Sequence, residues 1–425
     1  MPVEIDACSL NLPGLIRPGD TVIWSQGTSE PLALVRSLIE QRYDLGGRVR
    51  VFLGSSYAEA IAVEHADCFD FVGIGAVGRA RDFARAGVLD IIPCHLSDIP
   101  RFFSDGTIPI DVVFLQAAQR GDGSLSFGPI CSYLPAAVRQ ARVVIAEVNA
   151  QAPWSHSSAT LDIADVDFIV RSDYPIATLP RRSPSESDRL IAQRVGTLIP
   201  DKAILQLGIG SLPDAILGGL TGHRELGLHS GILSDAMVDL VEQGVVTNAT
   251  KPVDCGISVT GGVFGSQKLY DFVHENPLVR VDPIEYTHSI SVLAQFPNFV
   301  AVNSTIEVDL TGQVNGETAA GHYLGTVGGL TDFSRAASIA PGGRSIIALP
   351  ARSNDGKHSR VVSRLSSGIA TAARADADWV VTEFGAARLK GKSIRERVRE
   401  MLQLAHPDDR ERLESEAAQI PGFCR

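Results

Sequence analysis

At 425 residues, with 44 % hydrophobic and 20 % charged residues, the chain has the composition of a soluble globular protein and exceeds the size at which one hydrophobic core usually keeps growing, so two domains are expected. The formal net charge of −11 argues against a nucleic-acid or anionic-membrane partner, yet leaves an anionic small ligand open, because backbone amides at a helix N-terminus bind one whatever the net charge. The opening MPVEIDACSL has no signal-peptide pattern, no apolar run reaches the ~18 residues of a membrane span, and Cys8, Cys68, Cys94, Cys131, Cys255 and Cys424 form no CxxC pair, so a cytoplasmic chain with free thiols is expected.

Short apolar runs alternate with helical-period stretches from the start. Thr21–Trp24, Arg50–Leu53, Asp111–Leu115 and Ala141–Ala146 read as strands buried on both faces, which predicts parallel sheets covered by helices. TLPRRSPSESD at 178–188 collects Pro, Ser and charge ahead of a helix beginning near Arg189, and is the candidate linker between domains 1–187 and 188–425. The head of each half carries the same order of strand, glycine turn, proline and apolar helix: Gly19–Val22 leads to GTSEPLAL at 27–34, and Asp201–Ile204 leads to GSLPDAI at 210–216. Strands follow at 345–349 and 379–382, then a charged helical tail over 393–417 that reads as a solvated cover.

Several motifs carry chemistry. Gly73–Gly78 fits G-x-G-x-x-G, but strands already precede it and Asp90 follows too soon to serve as the ribose acid, which weighs against NAD. Gly208, Ile209, Gly210 and Ser211 lie between a buried strand and a helix holding Pro213; free amides there would face the sheet's C-terminal edge, and a plain tight turn is the alternative. Gly328 and Gly329 sit in a second glycine cluster, either a close backbone approach to a ligand or a flexible loop. Asn303, Glu307 and Asp309 alternate along one run and would share a face if it were a single strand. Glu383 ends an apolar strand before a glycine turn, a favoured place for a functional carboxylate. His288, among polar neighbours in IEYTHS, reads as a base or a hydrogen-bonded structural residue. No HExxH, GxSxG or P-loop pattern occurs.

LQLGIGSLPDAI at 205–216, GLHSGILSDAMVDLVEQGVVTN at 227–248, AVNSTIEVDLTGQVNGE at 301–317, TVGGLTDFSRAA at 326–337, VVTEFGAARLKGKS at 380–393 and AHP at 405–407 occur in that order. GDTV at 19–22, DVVFLQAAQRGDGSLSFGP at 111–129 and VVIAEVNAQAPW at 143–154 accompany them. Together they resemble the acetyl-CoA hydrolase/transferase family, which includes 4-hydroxybutyrate, butyrate and succinate/acetate CoA-transferases. The resemblance covers most of the chain and is strongest from Leu205 to Pro407.

The resemblance implies two related open α/β domains with the active site between them, a short-chain acyl-CoA and a small carboxylic acid or water as reactants, a homodimer, and no cofactor beyond coenzyme A as substrate and product. It also implies a glutamate that attacks the thioester and carries CoA as a glutamyl thioester. That glutamate's expected position is Gly231 in HSGILSDA, and the position near Glu285 where better-known transferases can carry an asparagine is loosely His288. Glu383, Gly208 to Ser211 and Gly328-Gly329 match parts that bind CoA and flank the reacting centre; Asn303 and Gly231 join them as acyl-CoA-binding candidates. Three activities follow: transfer with Glu285, Glu307 or Glu317 as relocated nucleophile; hydrolysis with His288 or Glu383 activating water; or acyl-CoA binding without chemistry.

Overall fold

The computed structural model describes residues 2–420 and 423, so Cys424 lies outside the described residues. The chain forms two units, Met1–Pro180 with Val259–Thr287, and Arg181–Ser258 with His288–Arg425. The division falls inside the Pro/Ser-rich 178–188 stretch; beyond the expectation from sequence, the chain returns to the first unit for residues 259–287. No helix of the described residues is long and apolar enough to cross a membrane, and no disulfide joins the described cysteines.

In the first unit the main sheet runs, edge to edge, Val3–Glu4, Phe168–Ser172, Val143–Asn149, Val112–Gln119, Thr21–Trp24, Val49–Leu53, Phe69–Gly73 and Leu89–Ile91, all parallel. Leu125–Ser126 pairs antiparallel with Val112–Gln119. The β-branched, two-sided apolar strands are buried along their length, as a helix-covered parallel sheet requires. Leu34, Val35 and Leu38 of the helix Leu32–Glu40 close over Val22, Trp24, Val51 and Phe114.

The second unit opens with the helix Glu186–Leu198, started by Ser185, whose hydroxyl accepts from the Asp188 amide while Asp188 accepts from the Ser185 amide. Its sheet strands follow the order Gly227–Ser230, Ile204–Leu207, Phe299–Ser304, Arg344–Ala348, Trp379–Thr382 and Gly385–Arg388, parallel except the last. The helix Leu330–Ile339 buries Phe333, Ala336 and Ala337 on Phe299 and Ala301. The tail is two helices, Ile394–Leu404 and Pro407–Ala417, parted at Pro407; Val398, Met401, Leu402 and Leu413 are buried, so it is an amphipathic cover.

One expectation fails. Asn303, Glu307 and Asp309 do not share a strand: Phe299–Ser304 ends, and Glu307–Asp309 belongs to a separate three-stranded sheet with Val314–Asn315 and Val361–Val362. The Ile306 amide, bonded to the Asn315 carbonyl, has already committed the chain to that smaller sheet.

Candidate functional site

The C-terminal edge of the second unit's parallel sheet collects most of the candidates. Ile204–Leu207 runs into Gly208, Ile209 and Gly210 and then the helix Ser211–Gly218. Gly210 sits at φ +122°, ψ −179°, a conformation open to glycine at little cost. A Cβ on Gly208 or Gly210 would meet nothing within 4 Å, so this backbone borders open space. Gly210 offers no side-chain cap, which leaves the first-turn amides of Ser211 and Leu212 as the orphan donors every helix start carries. Beneath the turn, Ser234 Oγ donates to Asp214 Oδ1 at 3.2 Å, and burial pushes the Asp214 carboxyl above the usual carboxylate range despite Arg181 nearby.

The corresponding helix start of the first unit is closed. Glu147, fully buried on the strand Val143–Asn149, accepts the Ala33 and Leu34 amides at 2.9 and 3.2 Å, and Tyr174 Oη accepts the Leu32 amide at 2.9 Å. The protein's own carboxylate occupies the anion position there, and burial raises its pKa.

Both neighbours of Ile204–Leu207 bring candidates to the same edge. On one side the Asn303 and Gln206 side-chain amides exchange weak hydrogen bonds at 3.3 and 3.4 Å. On the other, Ser230 Oγ donates to the Leu207 carbonyl at 2.8 Å and fixes the strand end from which Gly231 emerges. The side chain nearest Gly231 is His288: a Cβ at 231 would stand 3.0 Å from its Cε1 and Nε2 and 3.5 Å from the Phe333 ring. The same imidazole lies against Gly329, where a Cβ would be 2.7 Å from Cδ2 and Nε2. Gly329 is the N-cap of Leu330–Ile339, and its carbonyl accepts the Phe333 amide at 3.0 Å. His288 is thus buried against glycine backbone and an aromatic ring, with 4.6 Å between ring centroids, and its polar sequence neighbours misstate its surroundings. Burial drives its pKa down to about 3, so it is a neutral ring at physiological pH and a very weak base.

The carboxylates lie elsewhere. Glu383 ends a strand four places along the sheet from Gly227–Ser230, which at ~4.8 Å per strand puts the two ends about 19 Å apart. It serves as a clasp: Oε2 accepts the Ala351 amide at 2.8 Å and its carbonyl accepts from Arg194 at 3.0 Å. Glu285 belongs to the first unit, on the short helix Ile284–Thr287, and pairs with Arg139 at 2.9 Å on an exposed surface. Glu307 is tied to Asn315 Nδ2 and to the Ser366 amide and hydroxyl at 2.9–3.0 Å, and Glu317 accepts from Thr371 Oγ1 at 2.7 Å. Each of these carboxylates has a structural employment.

The structure brings Gly208 to Ser211, Asn303, Gly231, His288 and Gly329 to one edge, together with Gln206, Asp214 and Phe333, which the sequence reading did not single out. Phe333 had one available signal: it stands four residues after Gly329, the spacing that puts a helix's first turn over its cap.

The acetyl-CoA hydrolase/transferase N-terminal domain model matches residues 10–180 and the C-terminal domain model matches 265–417, so the Gly208–Ser211 turn and Gly231 fall between the two matches. A 4-hydroxybutyrate coenzyme A transferase of Clostridium kluyveri is 35 % identical over 402 residues, 93 % of each chain. An acetyl-CoA hydrolase of Kluyveromyces lactis is 27 % identical over 93 % of this chain and 85 % of its own. RipA from Yersinia pestis has a TM-score of 0.92 at 31 % identity, covering 98 % of this chain and 97 % of its own. With both domain models matched and relatives aligned over nearly the full length, the chain belongs to the acetyl-CoA hydrolase/transferase family and is an enzyme of CoA-transferase-like or hydrolase function.

Proposed function

We propose that this protein cleaves a short-chain acyl-CoA thioester by direct attack of a diffusible oxygen nucleophile, water in the first place, without an enzyme-bound glutamyl-CoA stage. The observation behind this is Gly231: the position has no side-chain atom to carry an acyl or CoA group, and the nearest side-chain atoms are those of His288 and Phe333. In the proposed step water adds to the thioester carbonyl, the C–S bond breaks, and CoA leaves as the thiol with a free carboxylic acid as the other product. A His288 imidazole with a pKa near 3 contributes little as a general base, since such a base works best with a pKa close to the working pH. The assistance assigned to the protein is electrostatic, with orphan amides at Ser211 and Leu212 and the backbone around Gly328 and Gly329 facing the developing oxyanion. No organic or metal cofactor is invoked, and we place the enzyme in the cytoplasm as a homodimer.

A second reading is favoured by the 35 % identity to a CoA-transferase. A small carboxylate takes the place of water and attacks the thioester carbonyl; the C–S bond breaks, leaving a free mixed anhydride and CoA thiolate, which then attacks the acceptor's carbonyl so that the anhydride C–O bond breaks, giving the new thioester and releasing the original acyl group as a carboxylate. The test is thiol release from a panel of short acyl-CoAs with and without acetate or succinate, with intact-mass analysis after borohydride. Acceptor-independent release without an adduct supports hydrolysis. Acceptor-dependent formation of a new acyl-CoA without an adduct supports direct transfer. A reduced glutamate would overturn both, and silence across the panel would point to a binding protein.

A further inference from the structure

His288 is 2 % exposed and lies between two residues that have no side chain. Its ring leaves a would-be Cβ 3.0 Å at Gly231 and 2.7 Å at Gly329, with Phe333 completing the enclosure. Packed interiors do not accept such approaches without displacement. A methyl group at 329 therefore forces the imidazole or the helix start to move, and one at 231 asks for a shift of a few tenths of an ångström. One of these glycines ends the excursion of the strand Gly227–Ser230, and the other begins the helix Leu330–Ile339.

We propose that His288 is a positioning residue, a spacer whose ring sets the gap between the strand end at Gly231 and the helix start at Gly329, and thereby the placement of the backbone amides that meet the thioester carbonyl. Only the last clause rests on the acyl-CoA cleavage proposed above; the spacer itself stands on packing. Shape and neutrality are what this task requires of the side chain. The ring's depressed pKa fits that requirement, since a group that stays unprotonated to about pH 3 acts by volume and not by exchanging a proton near neutrality.

The test is a double-mutant cycle on the full chain: Gly329→Ala, His288→Ala and the pair, with His288→Gln as a neutral side chain of similar reach. Melting temperature, kcat and KM for thiol release are read for each. Gly329→Ala is expected to lower the melting temperature and to cut kcat by about tenfold with KM moved less than about threefold, and adding His288→Ala is expected to recover part of both losses. His288→Gln should leave the shape of the pH–rate profile unchanged. Additive or worse-than-additive losses in the pair overturn the spacer, and so does an ionisation near neutrality that vanishes in His288→Gln, which would make His288 a base. If the wild-type chain releases no thiol from any acyl-CoA, the functional reading falls, and the melting-temperature cycle still decides the packing claim.

Discussion

Lowering the pH from 7 to 5 perturbs His288 without altering a single contact. In the folded chain burial holds its pKa down at about 3, whereas an imidazole in an unfolded chain titrates near ~6.5. Between those values the unfolded chain binds the additional proton, so the stability linked to His288 is complete above about pH 6.5 and drains away as the pH falls towards 3. Integrating that linkage gives a loss of about 2 kcal/mol at pH 5 and about 4 kcal/mol at pH 3. Urea midpoints of the wild type and His288→Gln at pH 7 and pH 5 isolate the effect, because the variant lacks the titrating ring and keeps every other group. Glu30 and Glu147, whose pKa values burial raises, respond to acid in the opposite sense and cancel between the two chains. If wild type and variant lose the same stability between pH 7 and 5, to within ~0.5 kcal/mol, the imidazole is not a buried ring that stays neutral over that range.

Three further substitutions probe neighbouring claims. Gly231→Glu should cost about 1–3 kcal/mol through overpacking against His288 and should yield no CoA adduct on its own; a melting temperature within a degree of wild type would show that the space is not filled. Glu147→Ala should cost about 2–3 kcal/mol because the Ala33 and Leu34 amides lose their buried acceptor, while Glu147→Gln, which keeps an acceptor without burying a charge, should stay within about 1 kcal/mol of wild type; equal losses in chemical denaturation would count against the cap. Glu383→Ala should lower stability by about 1–2 kcal/mol by orphaning the Ala351 amide, and a large fall in thiol release with stability intact would return Glu383 to the reacting centre.

Periodicity and punctuation carried most of the architecture. Apolar runs such as Val112–Leu115 and Val380–Thr382 had to be two-sided strands, and the helix expected near Arg189 begins slightly earlier, at Glu186, where the Ser185–Asp188 pair caps it. The break between Ser304 and Glu307 was not legible, because an alternating polar pattern reads the same on one strand as on two strands of different sheets. Nor was the burial of His288: its polar neighbours in sequence say nothing of Gly231, Gly329 and Phe333, which the fold delivers from other segments. Glu383 shows the converse limit: its place at a strand end was legible, its place within the sheet was not. The end of a strand is a favoured place for function, but position along the sheet decides which end, and strand order is a long-range property.

The two helix starts at the heads of the two units show how one sequence pattern supports opposite chemistry. Each has a buried strand, a glycine turn and an apolar helix, and each therefore creates amides that must find an acceptor. In the first unit the acceptor is internal, because Gln116, Glu147 and Tyr174 come from adjacent segments and Glu147 reaches the Ala33 and Leu34 amides. In the second, Gln206 of the strand itself and Asn303 of its neighbour bond to each other, and both Gly208 and Gly210 face open space. A carboxylate already seated at a helix start leaves no net attraction for a second anion, whereas an uncapped start retains its full local dipole field. Of these two starts, the one at Gly208 to Ser211 has no side-chain cap and borders open space. It adjoins the strand end at Gly231, so under the acyl-CoA cleavage proposed above the filled space around His288 bears on the reacting carbonyl as well as on packing.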